Sequence, residues 1–112
     1  MKHNFRELTV WRKSMNLVFE TYKMTRELPS IEKFGLISQV NRCAVSISSN
    51  IAEGTSRTTD KEITRFMNIA MGSAYELETQ LMPITRLYSN LEPQTITLID
   101  NLNEIQKNDW RI

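Results

Sequence analysis

Cysteine and histidine are almost missing from this sequence, and their scarcity excludes several kinds of site. The 112 residues include one cysteine, Cys43, and one histidine, His3. A disulfide framework or a cysteine-rich zinc site needs several cysteines, so a single chain can form neither. A serine hydrolase needs a base beside its nucleophile. The only histidine lies in a predicted N-terminal tail, so Ser46, Ser48 and Ser49 have no imidazole partner.

Motifs that hold metals or phosphates are also missing. A di-iron four-helix bundle carries Glu-x-x-His on two of its helices, and this sequence has no such motif. Its three glycines form no glycine-rich phosphate loop. Cys43 lies on an apolar helix, which is typical of a small core residue rather than of a nucleophile. We therefore expect no enzymatic activity, no catalytic or metal-binding residues and no cofactor.

Long apolar runs and an excess of one charge are absent as well. No segment has about 18 consecutive apolar residues, the length that a membrane span requires, and the N-terminus has no apolar core of the signal-peptide type. The 14 basic and 13 acidic side chains give a net charge of +1, so the whole chain is not an electrostatic binder of nucleic acid or membranes. These features predict a cytoplasmic protein. The length predicts one domain, residues 1–112, with a flexible tail over residues 1–7.

Apolar residues recur at helical spacing in four segments, and the sequence gives no strand signal. Pro29 closes the first segment, because a proline disfavours helical geometry in the residue before it. Gly54 suits the left-handed conformation that commonly ends a helix, and Thr59 with Glu62 forms a capping box that starts the next helix. Pro83 lies inside the third segment, where we expect a bend rather than a break. The predicted helices cover residues 9–28, 31–53, 60–90 and 93–109.

Short connections between these helices make neighbours antiparallel. The predicted fold is therefore all-α, an up-down-up-down left-handed four-helix bundle. The helical spacing also predicts which side of each helix faces the core. On the second helix the predicted inward residues are Phe34, Ile37, Val40, Ala44, Ile47 and Ile51.

The first helix is apolar on more than one side. Two lines of apolar residues run along it, about 100° apart around the helix axis. One bundle core cannot easily cover both lines, and surplus apolar surface of this kind marks an interface with a copy of the chain or with a partner helix. One line holds Trp11, Val18 and Tyr22. The other line, which is the candidate oligomer interface, holds Val10, Leu17 and Met24.

A polar group surrounds the predicted turn between the second and third helices. Glu53 and Arg57 are spaced for an ion pair, and the Asn50 amide can bond to loop backbone. Together with Gly54, these residues would then lock the turn. The same carboxylate, amide and guanidinium could instead bind an anion or a small ligand. We favour the structural role.

Charge is segregated along the chain although its sum is small. Residues 1–33 carry seven basic and four acidic side chains, residues 34–66 four and three, and residues 67–112 three and six. A basic face on the first helix could contact phosphates, but a solvated surface or complementarity between subunits explains the same segregation. No aromatic residue is predicted in a basic loop, where it could stack on bases. The candidate nucleic-acid-binding residues are Arg6, Arg12, Lys13, Lys23, Arg26, Arg42, Arg57, Lys61 and Arg65.

Several motifs resemble those of one protein family. They are FRELTVWRKSMNLV near the N-terminus, NIAEG at residues 50–54 with Arg57 after it, and GSAYELETQL at residues 72–81. They resemble the bacterial four-helix-bundle proteins whose founding members are encoded in intervening sequences of 23S rRNA genes, the ribosomal-protein-like type. Relatives commonly carry a proline where this chain has Ser48, which leaves a kink in the second helix open.

The resemblance implies a homopentamer, a ring of bundles around a central channel. Some relatives are accessory proteins of diversity-generating retroelements and resemble basic oligomers that bind nucleic acid and a reverse transcriptase, but this chain is much less basic. The family name implies no ribosomal role, because it gives the location of a gene. We therefore predict a non-enzymatic pentameric scaffold or interaction protein with an unknown partner. The alternative is a weakly sequence-specific nucleic-acid-binding accessory protein, which would use the basic face of the first helix to bind RNA or DNA.

Overall fold

Four α-helices hold most of the residues that the computed structural model describes, which are residues 4–107. Short 3₁₀ or π turns precede three of these helices. No strand occurs between residues 4 and 107, as the sequence predicts. In chain order the elements are a 3₁₀ turn Phe5–Glu7, α1 Thr9–Thr25, a 3₁₀ turn Ser30–Glu32, a π turn Lys33–Ile37, α2 Ser38–Thr55, α3 Asp60–Leu87, a 3₁₀ turn Ser89–Leu91 and α4 Glu92–Gln106.

Consecutive helices pack side by side and antiparallel, and α1 also packs against α4, so the four helices enclose one core. The connections are short enough to make this the simplest arrangement. The result is the predicted all-α four-helix bundle, about 46 Å long. Its left-handed sense remains a prediction. Hydrogen bonds mark the contacts between successive helices and join Thr25 to Asn41, Ser46 to Ser73, and Thr85 to Thr95.

The candidate oligomer interface on α1 is buried in this core, so that prediction is wrong. Val10, Leu17 and Met24 all pack with buried residues of the other helices and leave no surface for a second copy. Ser14 and Thr21 complete the same line and are fully buried. These small side chains let α1 approach its neighbours closely at the density typical of protein interiors. The core therefore takes the line with the smaller residues, and Trp11 and Val18 of the bulkier line are only partly buried against it.

The second helix begins at Ser38, later than the predicted residue 31. The chain first makes a 3₁₀ turn and then a π turn, inside which Gly35 has φ −107° and ψ −106°, outside helical values. A π turn holds more residues than an α turn, so the 3.6-residue register is lost across it. Phe34 is therefore exposed, and its predicted inward position is wrong. The later inward residues Val40, Ala44, Ile47 and Ile51 are buried as predicted.

Gly54 lies inside α2 and does not end it. No residue between 4 and 107 has a positive φ, so the predicted left-handed conformation of Gly54 is wrong. A Cβ atom added to Gly54 would lie 3.1 Å from Phe66 Cβ and 3.2 Å from Met67 Cε. Glycine fits this position because α2 and α3 approach closely, not because the chain turns there.

Helix α3 starts as predicted and is unbroken. The Glu62 amide donates a hydrogen bond to Thr59 Oγ1 at 3.2 Å, which is one half of the predicted capping box. The Glu62 carboxylate accepts from the Thr59 hydroxyl at 3.3 Å and not from the Thr59 amide. The helix continues through Pro83 and ends at Leu87 rather than at residue 90. Helix α2 likewise passes Ser48 without interruption. The predicted helix end at residue 109 lies outside the described residues.

The predicted tail over residues 1–7 is wrong for residues 4–7. Asn4 Oδ1 accepts a hydrogen bond from the Arg6 amide at 3.1 Å and so caps the first 3₁₀ turn. The Phe5 ring packs edge-on against Trp11, with ring centroids 5.1 Å apart. This turn therefore packs against the start of α1. Residues 1–3, which include His3, lie outside the described residues.

Candidate interaction surfaces on the sides of the bundle

The outer side of the α1–α2 pair is apolar. Its α1 residues follow one another at helical spacing, next to the buried line of α1 that contains Val10, Leu17 and Met24. The line continues to Thr25, whose hydroxyl donates a hydrogen bond to Asn41 of α2 at 3.0 Å, so it borders α2. Val45 lies one turn after Asn41 and extends the same surface. We call this surface the apolar flank; it consists of Trp11, Met15, Val18, Phe19 and Tyr22 of α1 and Val45 and Ala52 of α2.

The α2–α3 pair carries polar side chains instead, and we call this surface the polar flank. Ser46 Oγ lies 2.9 Å from Ser73 Oγ, and the Asn50 amide donates to both the carbonyl and the hydroxyl of Ser46, at 2.8 and 3.0 Å. Cys43 Sγ donates to Glu76 Oε1 at 3.0 Å. Partners within the same subunit therefore satisfy much of this flank.

Cys43 is a hydrogen-bond donor on the polar flank and not a thiolate. Burial disfavours the charged form, and the hydrogen bond to Glu76 together with the Glu76 charge acts in the same direction, so that the Cys43 pKa rises to about 12. A thiol with this pKa stays protonated at neutral pH and is a poor nucleophile. The structure thus confirms that Cys43 is a buried core residue.

The turn motif forms the predicted ion pair. Arg57 Nη2 lies 3.0 Å from Glu53 Oε1, and the Arg57 guanidinium also lies 4.7 Å from the centre of the Phe66 ring. The guanidinium is thus held by both ends of the α2–α3 turn. The Asn50 prediction is wrong, because its amide bonds to Ser46 one turn earlier in α2 and not to the loop. An open depression beside the turn is lined by Glu53, whose negative charge disfavours an anion.

The nine candidate nucleic-acid-binding residues do not form one face of α1. Lys13 is paired with Glu104 at 3.8 Å and Lys23 with Glu20 at 3.5 Å. Arg42 lies on α2, and Arg26 follows the end of α1. The remaining five gather where α1 and α3 start and α2 ends. We call this group the basic end; it consists of Arg6, Arg12, Arg57, Lys61 and Arg65.

Two phenylalanine rings lie among the arginines of the basic end. The Arg6 guanidinium is 4.5 Å from the centre of the Phe5 ring, and the Arg65 guanidinium is 5.9 Å from that of Phe66. Arg12 Nε donates to the Arg6 carbonyl at 2.9 Å and so holds the first turn in place. Sequence reasoning missed this combination, because Phe5 and Phe66 are far apart in the chain.

A second set of exposed apolar side chains lies on the α3–α4 pair. Tyr75 and Met82 are on the same helical line as Glu78 and Thr85. Glu78 accepts a hydrogen bond from Gln106 of α4 at 3.0 Å, which places this line beside α4. Because α3 and α4 lie across the bundle from α1 and α2, this surface is opposite the apolar flank. We call it the opposite face; it consists of Tyr75, Met82 and Ile96.

Spacing along the chain could have identified the apolar flank. The line that begins at Val10 continues without a gap through residues 14, 17, 21 and 24 to Leu28, which is also buried. An unbroken line of this length is the better candidate for the core than one that ends at Thr25 and Arg26.

Metal clusters and membrane-spanning helices are both absent from the described residues. No group of three His, Cys, Asp or Glu residues within 4–107 is placed to hold a metal ion. No helix in the same range is long and apolar enough to cross a membrane.

Comparisons with known proteins agree with the fold and the motifs. A crystal structure of a protein of unknown function from the S23 ribosomal protein family of Bacteroides thetaiotaomicron has a TM-score of 0.78 and 25% sequence identity, and the match covers 88% of this chain and 93% of that one. No curated protein matches. The model of the 23S rRNA-intervening sequence protein family matches residues 6–108, nearly the whole chain. The chain therefore belongs to the 23S rRNA-intervening sequence protein family.

Proposed function

We propose that this chain is a non-enzymatic interaction protein whose copies assemble into a closed ring, expected to hold five subunits. One observation carries the proposal: apolar side chains are exposed on two opposite sides of the bundle. A head-to-tail ring needs two different surfaces on each subunit, one that binds the next subunit and one that is bound by the previous one. The apolar flank and the opposite face fit these two roles. The proposed location is the cytoplasm, where a free thiol such as Cys43 stays reduced.

Exposed aromatic rings on both surfaces provide a driving force for association. Phe19 of the apolar flank is 59% exposed and Tyr75 of the opposite face is 58% exposed. Burial of a large apolar side chain contributes about 1.5–3 kcal/mol. Contiguous exposed apolar patches on a folded domain are characteristic of binding surfaces. Both surfaces therefore favour contact with another protein over contact with water.

The unpaired charges on α1 and on α4, which flank the two surfaces, differ in sign. Arg12 and Arg26 are exposed on the α1 side, whereas Glu92 and Asp100 are exposed on α4. None of these four is in an ion pair within the described residues. Head-to-tail contact would bring the basic margin of one subunit near the acidic margin of the next, which favours this pairing over contact between like surfaces.

The test is light scattering after size exclusion, with two surface variants and a control. We expect the wild type near 66 kDa, five times the 13.1 kDa of one chain. Phe19→Glu and Tyr75→Glu should each abolish the ring, because each places a charge in one of the two surfaces. Ile69→Glu is the control, since Ile69 is exposed on α3 beside the polar flank. A monomeric wild type would overturn the proposal.

Mixing the two variants distinguishes a ring from a simple dimer. In a head-to-tail ring each variant keeps one intact surface, so Phe19→Glu and Tyr75→Glu subunits should form a dimer together and grow no further. If the copies instead met through two apolar flanks, only Phe19→Glu would dissociate them and mixing would restore nothing. That result would keep self-association and reject the ring.

The basic end favours a second candidate function, weak binding of nucleic acid. Its arginines neighbour Phe5 and Phe66, and basic grooves with aromatic rings are what single strands need for phosphate contact and stacking. The test is fluorescence anisotropy with a labelled RNA or DNA oligonucleotide at increasing salt. Binding that weakens with salt, and is lost in Lys61→Glu and Arg65→Glu but kept in Arg86→Glu at the other end, would support this function. Binding unaffected by the first two variants would reject it.

A further inference from the structure

One end of the bundle displays three large apolar side chains. Ile31 is 85% exposed, Phe34 89% and Leu87 67%. Ile31 and Phe34 lie between α1 and α2, and Leu87 is the last residue of α3, so antiparallel packing places all three at the end opposite the basic end. We call them the end patch. It lies apart from the apolar flank and the opposite face, which run along the sides.

Hydrogen bonds and turns hold the end patch in place. The Tyr88 hydroxyl donates to Glu32 Oε2 at 2.6 Å, which ties the α1–α2 connection to the end of α3. The π turn Lys33–Ile37 sets Phe34 out of register with the inward residues of α2 and so displays its ring. The connection therefore presents Ile31 and Phe34 from a fixed backbone.

Basic side chains border this patch. Lys33 Nζ lies 5.5 Å from the centre of the Phe34 ring, and Arg86 precedes Leu87. Both are exposed, and neither is in an ion pair among residues 4–107. Of the acids at this end, Glu32 accepts the Tyr88 hydroxyl, Glu27 lines the groove between α1 and α4, and Glu92 is exposed at the start of α4. The patch thus combines apolar surface with unpaired positive charge.

We propose that the end patch binds an amphipathic helix of a partner protein, with an apolar face bordered by acidic residues. Such helices insert side chains at i, i+3 or i+4 and i+7 into apolar surfaces, and their acids would pair with Lys33 and Arg86. The proposal does not depend on the ring. If the ring forms, cyclic symmetry places every end patch on the same side of it, so one assembly binds several copies of the partner.

Other occupants fit these residues less well. A second copy meeting end to end would bring Lys33 and Arg86 towards their own counterparts, and like charges repel. Single-stranded nucleic acid stacks on rings, but two of the three side chains are aliphatic. An anionic bilayer presents negative charge over its whole surface, including opposite Glu32 between Ile31 and Phe34. A helix can place its acids opposite Lys33 and Arg86 alone.

The experiment measures fluorescence anisotropy of a labelled designed peptide. The peptide has about 16 residues, enough for four helical turns, with leucine and phenylalanine on one face and glutamate beside them. Two comparison peptides carry lysine in place of glutamate, or the same residues in scrambled order. We expect saturable binding of the acidic peptide alone. No binding, or equal binding of all three peptides, would overturn the proposal.

Variants locate the binding to the end patch. Ile31→Ser and Phe34→Ser should each weaken binding about tenfold or more, as the loss of a central apolar contact does. Their side chains are exposed, so folding is unaffected, which circular dichroism checks. Ile69→Ser is the matched control on a side of the bundle and should bind as the wild type does. Equal loss in the control would contradict the assignment.

A charge reversal at Lys33 and two further ligands distinguish a partner helix from a membrane or nucleic acid. Lys33→Glu should weaken binding of the acidic peptide and strengthen binding of the lysine peptide, because the charge at the border of the patch changes sign. Phosphatidylserine vesicles and poly-uridine RNA are titrated against the same proteins. If Phe34→Ser abolishes binding to either of these while the acidic peptide does not bind, the surface belongs to a membrane or to nucleic acid and the proposal fails.

Discussion

Helix α2 meets its two neighbours in different ways. Towards α3 it presents Cys43, Ser46 and Asn50, each of which makes a side-chain hydrogen bond to a residue of the same subunit. On the side of α1 its outer margin presents Val45, and both Val45 and Tyr22 of α1 are partly exposed. Much of the polar flank is therefore satisfied within one chain, whereas the apolar flank is left partly in water.

The difference separates stability from assembly. An internal hydrogen bond contributes about 0.5–1.5 kcal/mol net, because water competes for the same groups in the unfolded chain. The part of a large apolar side chain that is still exposed contributes nothing to folding, but it adds to association when another molecule covers it, up to about 1.5–3 kcal/mol for a whole side chain. Changes in the polar flank should therefore alter the stability of the subunit, and changes in the apolar flank should alter association.

The largest expected effect concerns the reactivity of Cys43. Its pKa of about 12, against an ordinary value of 9.0, means about a thousandfold less thiolate in the folded chain at the same neutral pH. Alkylation by iodoacetamide should therefore be slow in the folded protein and fast in denaturant. Glu76→Gln should accelerate the reaction in the folded protein, because it removes a negative charge that raises the pKa. Equal rates in folded and unfolded protein would contradict the hydrogen bond.

The same shift makes stability depend on pH. Because the folded pKa lies above the unfolded one, the neutral thiol favours the folded state fully below pH 9, and this contribution is lost as the pH rises towards 12. The free energy of unfolding of the wild type should therefore fall more steeply over this range than that of Cys43→Ala. Denaturant titrations of both proteins at several pH values test this, and parallel curves would reject it.

A substitution at Gly54 tests how closely α2 and α3 approach at one end of the polar flank. Gly54→Val should destabilise the protein by about 2 kcal/mol or more, because the added methyl groups would overlap Phe66 and Met67. Urea unfolding of the variant measures this loss. A stability equal to that of the wild type would show that α3 can move away at little cost.

Gly72 is the matched control, since it also lies inside a helix but has open space around it. A Cβ atom there meets nothing within 4 Å. Gly72→Ala should therefore stabilise the protein by about 0.5–1 kcal/mol through helix propensity alone. Urea unfolding measures this gain as well. A loss of stability in Gly72→Ala would mean that something covers this side of α3, as an oligomer interface would.

The two glycines also show how far the sequence could be interpreted. Helical spacing and the Thr59 cap predicted four helices, their order and most of the core correctly, because these depend on near neighbours in the chain. The role of Gly54 depends on Phe66, twelve residues away, and sequence alone could not distinguish a close contact from a turn. The exposure of Phe34 could not be predicted either, because the π turn shifts the helical register and so changes the side to which Phe34 points.

The surfaces were the least predictable part for a related reason. Val10, Leu17 and Met24 are the predicted interface, yet they pack in the core, where the small side chains of Ser14 and Thr21 decide which line packs closely. The basic end likewise collects residues from three helices. A surface depends on how separate helices are arranged, and a periodic pattern on one helix does not contain that information.

The smallest expected effect concerns the ion pair at the end of the polar flank. Both side chains are partly exposed, so the Glu53–Arg57 coupling should be only about 0.3–0.5 kcal/mol in a double-mutant cycle. Arg57→Ala should cost more than Glu53→Ala, because the guanidinium also stacks on Phe66 and that contact contributes a further ~0.5–1 kcal/mol. Denaturant unfolding of the two single variants and the double variant measures both quantities. Equal costs of the two single changes would mean that the stacking contributes nothing. Strict additivity would instead mean that the two charges act independently, and the turn would then be held by its backbone and by the close approach at Gly54.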